Sequence, residues 1–137
     1  MNNPDMKTIK TILEEAKTIA VVGLSDKPSR TSYQVAEVLV NAGYRVIPVN
    51  PRVEEVFGVQ AVGSLNDIEE KVDIVNVFRR SELLKEMVPD VLASEAPVFW
   101  AQMGVYDEDV ADQLNEAGKT VIMDRCIKVD YASLLNV

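Results

Sequence analysis

Apolar residues in this chain alternate between two spacings from one end to the other. Met6, Ile9, Ile12, Leu13 and Ala16 recur at the three-and-four interval of a helix face, and Asn3 before Pro4 reads as that helix's start. Residues 18–23 (TIAVVG) then form a short apolar run closed by glycine, as in a parallel strand buried on both faces. After the polar loop LSDKPSR, Thr31-Ser-Tyr-Gln34 has the form of a capping box. It opens a helix to about Ala42, which Gly43 ends. Residues 45–49 (RVIPV) read as the second strand, although their proline cannot donate to a ladder. The stretch 51–65 is irregular, with a short strand expected near 60–62 and a short helix near 66–70.

The alternation continues in the second half. Residues 73–78 (DIVNVF) are the third strand. A helix over 81–95 turns Leu83, Leu84, Met87, Val88, Val91 and Leu92 inward, and Pro89 should bend or break it. Residues 98–103 (VFWAQM) are the fourth strand. Asp107 caps a helix that buries Val110, Ala111, Leu114 and Ala117, and Gly118 ends it. Residues 119–123 (KTVIM) are the fifth strand, followed by a short helix over 129–135.

Short apolar strands alternating with helices imply parallel pairing through right-handed crossovers. The expected class is α/β: a doubly wound parallel five-stranded sheet with helices on both faces, in the order 3-2-1-4-5. Periodicity leaves the flavodoxin-like order 2-1-3-4-5 open as the alternative. With no internal repeat and no linker, residues 1–137 read as a single domain.

Composition narrows the chemistry. The chain has no histidine, which removes imidazole bases, serine–histidine and cysteine–histidine pairs, and histidine metal sites. One cysteine, Cys126, forms neither an internal disulfide nor a thiolate cluster, and fits a reducing compartment. No apolar run approaches the roughly 18 residues of a membrane span, and no signal peptide is visible, so a cytoplasmic location is expected. A formal net charge of -8 argues against nucleic acid, whose backbone needs an extended basic face. The acidic group Asp107, Glu108, Asp109 and Asp112 sits at a helix N-terminus and reads as a solvated cap, so no metal is expected.

Against that acidity, five of the six arginines fall just past strand C-terminal ends: Arg30, Arg52, Arg79, Arg80 and Arg125. Ligands of open α/β sheets bind in the crevice outside those ends. The pattern points to a small polyanion. In VVGLSDKPSRTSYQ, Gly23 allows close backbone approach, while Ser25, Lys27, Arg30, Thr31 and Ser32 offer donors beside a helix N-terminus. The plainer alternative is an ordinary connection in which Thr31 and Ser32 only cap. The fingerprint G-x-G-x-x-G is absent.

After the second strand, Asn50, Pro51 and Arg52 stand where an NAD enzyme usually carries an acid. Arginine there suits a phosphorylated ribose, as in NADP or coenzyme A; as a plain loop cation it would serve neither. Of the neighbours Arg79 and Arg80, one is expected to face ligand and the other to pair with an acid such as Glu82. Phe78 reads either as a base-stacking ring or as core. Gln102, Met103 and Gly104 close the fourth strand, expected beside the first at the switch point. Trp100 and Phe99 read as packing, Asp124 and Arg125 as a weak pair, and Cys126 as a quiet thiol that forms no ligand adduct.

These segments resemble the small CoA-binding-domain proteins, which are similar to the CoA-binding domain of the succinyl-CoA synthetase α-subunit. The resemblance rests on IAVVGLSDKPSRTSYQVA, YRVIPVNPR, DIVNVFRRSE, FWAQMGV and VIMDRCIKVD, in order and across nearly the whole chain. It implies a Rossmann-like fold whose first loop cradles CoA phosphates with Gly23, Ser25, Lys27, Arg30 and Ser32. It also implies that Asn50, Pro51, Arg52, Phe78, Arg79, Gln102 and Gly104 line the nucleotide and pantetheine. Thr31 departs from the family by replacing a frequent proline. The synthetase's second domain and phosphorylated histidine are missing, so ligase activity does not carry over.

The leading expectation is a protein that binds coenzyme A or an acyl-CoA without catalysis of its own, with any protein partner left open. The alternatives are an NADP-dependent oxidoreductase and a nucleotide-responsive regulatory module. A receiver-like module would want a phosphoacceptor aspartate where Phe78-Arg79 stands.

Overall fold

In the computed structural model, which describes residues 3–135, the elements follow one another in the expected alternation. They are α1 (Met6–Glu15), β1 (Thr18–Val22), α2 (Thr31–Asn41), β2 (Arg45–Val49), β3 (Glu55–Val56) and β4 (Val59–Gln60), then β5 (Ile74–Val77), α3 (Leu84–Ala93), β6 (Val98–Ala101), α4 (Glu108–Glu116), β7 (Thr120–Ile122) and α5 (Ile127–Leu134). Five strands pair in parallel in the order β2-β1-β5-β6-β7, and β3-β4 is a separate small hairpin.

Val62 extends the sheet beyond β2 through one parallel bridge to Val49. Its N–H donates to the Pro48 carbonyl (3.0 Å) and its carbonyl accepts from Asn50 N (2.8 Å). Pro48 therefore turns its missing donor toward this outer edge, where the ladder is only one bridge long. With Val62 in third place the Rossmann order 3-2-1-4-5 is met, and β7 continues it. The strand that sequence placed third, β5, takes fourth place against β1; counted alone, the five long strands run 2-1-3-4-5. The winding therefore reverses between β1 and β5. Gln102 and Gly104 close β6 beside β5, not beside β1 as the sequence suggested.

Alternate residues of each strand face opposite layers. Ala20, Val22, Val75, Val77, Phe99 and Ala101 pack with α3 and α4 residues such as Leu84, Val91, Val110 and Leu114. Ile19, Val21, Ile74, Val98 and Trp100 pack with Ile9 and Leu13 of α1, Val35 and Leu39 of α2 and Ile127 of α5. Trp100 is fully buried, and its indole N–H donates to the Arg125 carbonyl at 2.9 Å.

Several helix ends differ from the sequence pattern. Asp5, not Asn3, caps α1 by accepting from Thr8 N (2.9 Å). Asn3 instead brackets the backbone of Met123, donating to its carbonyl (2.8 Å) and accepting from its N–H (2.9 Å). No capping box opens α2: Arg30 holds the N-cap without a side-chain bond, and Gln34 Nε2 donates to the Pro28 carbonyl (3.2 Å). A 3₁₀ turn at Ser81–Leu83 precedes α3, which runs unbroken through Pro89. Pro89 is exposed, so water can satisfy the carbonyl it leaves without a donor. Leu92 and Ala117 are exposed rather than buried.

The start of α5 is fixed by Arg125, whose Nε and Nη2 each donate to the carboxylate of Asp130 at 2.8 Å. That bond holds the guanidinium above its ordinary pKa. Asp130 is buried, so removing its partner leaves a carboxylate without compensation. Arg125→Ala is expected to cost about 3 kcal/mol in denaturant unfolding. A loss under about 0.5 kcal/mol would show the pair to be dispensable.

The Tyr44 hydroxyl donates to the Leu13 carbonyl, tying the turn after α2 to α1. Burial, with the Tyr131 ring edge-on at 5.9 Å, pushes its pKa up to about 12. An acid whose folded pKa is raised favours its neutral form in the fold. Its contribution is therefore complete below about pH 10, the unfolded tyrosine value, and is lost as pH rises toward about 12. Thermal midpoints measured across that window should fall more steeply for the native chain than for Tyr44→Phe; identical slopes would contradict this.

Candidate functional site

Three loops meet where the winding reverses: the one after β1, the one after β2 and the end of β5. They enclose a hollow of 540 Å³ lined by Gly23, Ser25, Lys27, Arg30, Ser32, Asn50, Arg52 and Phe78, together with Asp26, Thr31 and Val53. Gly23 sets the first turn. Its φ of +85° is strained for any residue with a side chain, and a Cβ there would stand 2.4 Å from the Phe78 carbonyl oxygen. The near approach that this glycine permits is thus first of all that of β5's end, which brings Phe78 against the loop.

Much of the polar chemistry read as ligand-binding also braces the loops. Ser32 Oγ accepts from Ser25 N (3.0 Å), and Ser25 Oγ accepts from Lys27 N (3.0 Å). Asn50 Nδ2 donates to the Leu24 carbonyl (3.1 Å), while its Oδ1 accepts from Arg52 N (2.9 Å). Asn50 therefore joins the loops after β1 and β2 and sets the path of Arg52's backbone.

What remains free is cationic. Lys27, Arg30 and Arg52 are exposed and form no ion pair among the described residues, in contrast to Arg45 with Glu70 and Arg125 with Asp130. Asp26 is the one carboxylate on this lining. Because Arg30 puts no side chain over the α2 N-terminus, the first-turn N–H groups stay uncapped beside these cations. Fixed positive charge and unpaired donors at one helix end favour an anion, phosphate above all.

A second hollow of 770 Å³ adjoins the first, since Thr31 and Phe78 line both. Arg79, Gln102 and Gly104 lie on it as expected from sequence. Arg80 lies there too, so the neighbouring arginines share one hollow, and neither forms an ion pair with Glu82 or any other described acid. Met103, Val105, Cys126 and Val129 complete the lining. Gly104 has a φ of +84° and open space where a Cβ would point, and its N–H donates to Asp124 Oδ1 (2.6 Å). Asp124 thus serves the loop after β6 and not Arg125. Ser81 Oγ holds the same loop, accepting from Tyr106 N at 3.0 Å.

Eleven of the twelve residues expected at the site line these two hollows. Pro51 is exposed and lines neither; Arg125, turned to Asp130, lines neither as well. Asp26, Val53, Val105 and Val129 are wall residues that residue type and spacing do not single out. Val129 in particular reads as helix packing until α5 is placed beside the ends of β5 and β6. A further hollow of 410 Å³, near the strand N-terminal ends, carries Glu69, Glu70 and Glu95, a lining hostile to a polyanion. Among the described residues, no group of three or more acids or cysteines could hold a metal ion, and no helix is long and apolar enough to cross a membrane.

Known proteins share this fold. The chain is 54% identical over 132 residues to the uncharacterized protein YneT of Bacillus subtilis (strain 168), covering 96% of this chain and 98% of that one. A solved structure from Thermus thermophilus superposes with a TM-score of 0.93 at 41% identity, covering 96% of this chain and all of the other. The alpha subunit of an ADP-forming acetate–CoA ligase II from Pyrococcus furiosus is 38% identical over 69 residues, which is 50% of this chain and 15% of the subunit. The family described as the CoA binding domain matches residues 17–132. By that match, spanning the sheet and both hollows, the chain belongs to the CoA-binding domain family.

Proposed function

We propose that this chain binds coenzyme A or an acyl-CoA as a single cytoplasmic domain, without catalysis of its own. The observation that carries this reading is the pairing of three uncompensated cations with an uncapped helix N-terminus in one hollow. In this reading the diphosphate sits on the first turn of α2, with Ser25, Lys27, Arg30 and Ser32 around it. Arg52 meets the phosphate on the ribose, as a guanidinium can through two parallel hydrogen bonds. Phe78, common to both hollows, flanks the passage along which pantetheine reaches Arg79, Gln102 and Gly104. Asn50 positions Arg52 more than it contacts the ligand. The match to a part of an acetate–CoA ligase supports CoA as the ligand class.

Titration calorimetry with CoA, acetyl-CoA, NADPH and NADH tests the reading. CoA and acetyl-CoA are expected to bind and the nicotinamides to give no heat; NADPH binding without CoA binding would favour an oxidoreductase. Arg52→Ala should weaken CoA about ten- to a hundredfold, the loss of about 1.5–3 kcal/mol expected for a hydrogen bond to a charged group. The same substitution should leave 3′-dephospho-CoA nearly unaffected. An equal loss for both ligands would place Arg52 away from the ribose phosphate.

A further inference from the structure

The two hollows differ in chemical character, and the difference bears on which form of the ligand is selected. The first is ringed by cations. The second is larger, and its walls include Phe78, Met103, Val105, Cys126 and Val129. Met103 is 65% exposed and Val129 53%, although they come from separate segments, one after β6 and one within α5. Large apolar side chains left in water on the lining of one cavity mark a surface that gains by being covered.

Gln102 adds a polar signal inside that apolar wall. It is only 5% exposed, and its Oε1 is already committed, accepting from Asn76 Nδ2 (3.2 Å) and from Ile127 N (3.0 Å). Its amide nitrogen makes no hydrogen bond among the described residues, although the side chain lines the hollow. An N–H₂ left open on a cavity wall suits a neutral acceptor, a carbonyl oxygen. The pantetheine amides of CoA already supply such a carbonyl, so Gln102 suits the arm of free and acylated CoA alike. What free CoA lacks is apolar surface to cover Met103 and Val129, which an aliphatic acyl chain supplies.

We infer that the second hollow is an acyl site and that the protein prefers acyl-CoA with an aliphatic acyl group over free CoA. The inference rests on the CoA reading above and deepens it. Phe78, Met103, Val105 and Val129 bury the chain, and Met103, unbranched and adaptable, fits itself to different lengths. Gln102 Nε2 donates to a carbonyl of the ligand's acyl-bearing arm. Cys126 acts as one more soft wall. Arg79 and Arg80 also line this hollow, and whether they read a carboxylate on the acyl group is what the succinyl thioester decides.

The test is calorimetry at one ionic strength with CoA and its acetyl, butyryl, hexanoyl, octanoyl and succinyl thioesters. Affinity should rise along the aliphatic series, by up to about fourfold for each methylene fully buried, until the hollow is filled. Succinyl-CoA should bind more weakly than butyryl-CoA. Replacing both exposed walls (Met103→Ser with Val129→Ser) should compress the ratio of octanoyl-CoA to CoA affinity toward one. Equal affinities for CoA and every thioester would overturn the acyl site while leaving the CoA reading intact. Tighter binding of succinyl-CoA than butyryl-CoA would likewise overturn it, by showing that Arg79 and Arg80 read a carboxylate there. No binding by any member of the series would instead defeat the CoA reading on which the inference stands.

Discussion

The close crossing of Gly23 and Phe78 shapes everything at this edge of the sheet. The β1 chain must turn away at the point where β5 ends beside it, and a carbonyl stands where a Cβ would project. Only glycine meets both the left-handed backbone and the missing space. Once that turn is made, the loop after β1 leads outward to Lys27 and Arg30 and returns into α2, leaving a helix N-terminus open over the crossing. Phe78, drawn in against the loop, becomes the divide between two hollows of unlike chemistry. Backbone sterics thus come first, and the binding surface follows from them.

Charge is distributed on the same plan. The chain carries a net charge of -8, yet the cations of the first hollow have no acidic partner among the described residues. Away from the two hollows the guanidinium groups are neutralised: Arg45 by Glu70 on the surface and Arg125 by buried Asp130. Unpaired cations that converge on one helix end cost stability through mutual repulsion, and an anionic ligand relieves it. A net charge of -8 opposes an extended polyanion by simple repulsion. A compact anion that reaches into a cleft is much less affected.

The sheet was legible in the sequence because a strand covered on both faces must be an unbroken apolar run, and five such runs stand out. The Rossmann pattern was legible for the same reason, but not which segment fills its third place. That place is held by Val62, in the short strand expected near 60–62, through a single bridge, whereas β5 has the stronger run and so drew the assignment. Helix starts were less legible because Asn, Asp, Ser and Gln have several competing partners. Asn3 serves Met123, Gln34 serves Pro28, and Asp5 takes the cap. The site was largely legible because parallel topology sends every strand end to one rim. Pro51 lines neither hollow, and Arg125, read from sequence as a weak partner of Asp124, instead satisfies a buried carboxylate five residues on. Asp26 and Val129 were hidden because their roles arise from loop and helix placement, which residue type alone does not fix.

A crystal structure of the complex with CoA measures the central claim directly. The account predicts diphosphate oxygens at about 3 Å from the first-turn N–H groups of α2, the ribose phosphate on Arg52, and pantetheine passing Phe78 into the second hollow. CoA density at the acidic hollow by Glu69 and Glu70, or phosphates turned to solvent away from α2, would contradict it.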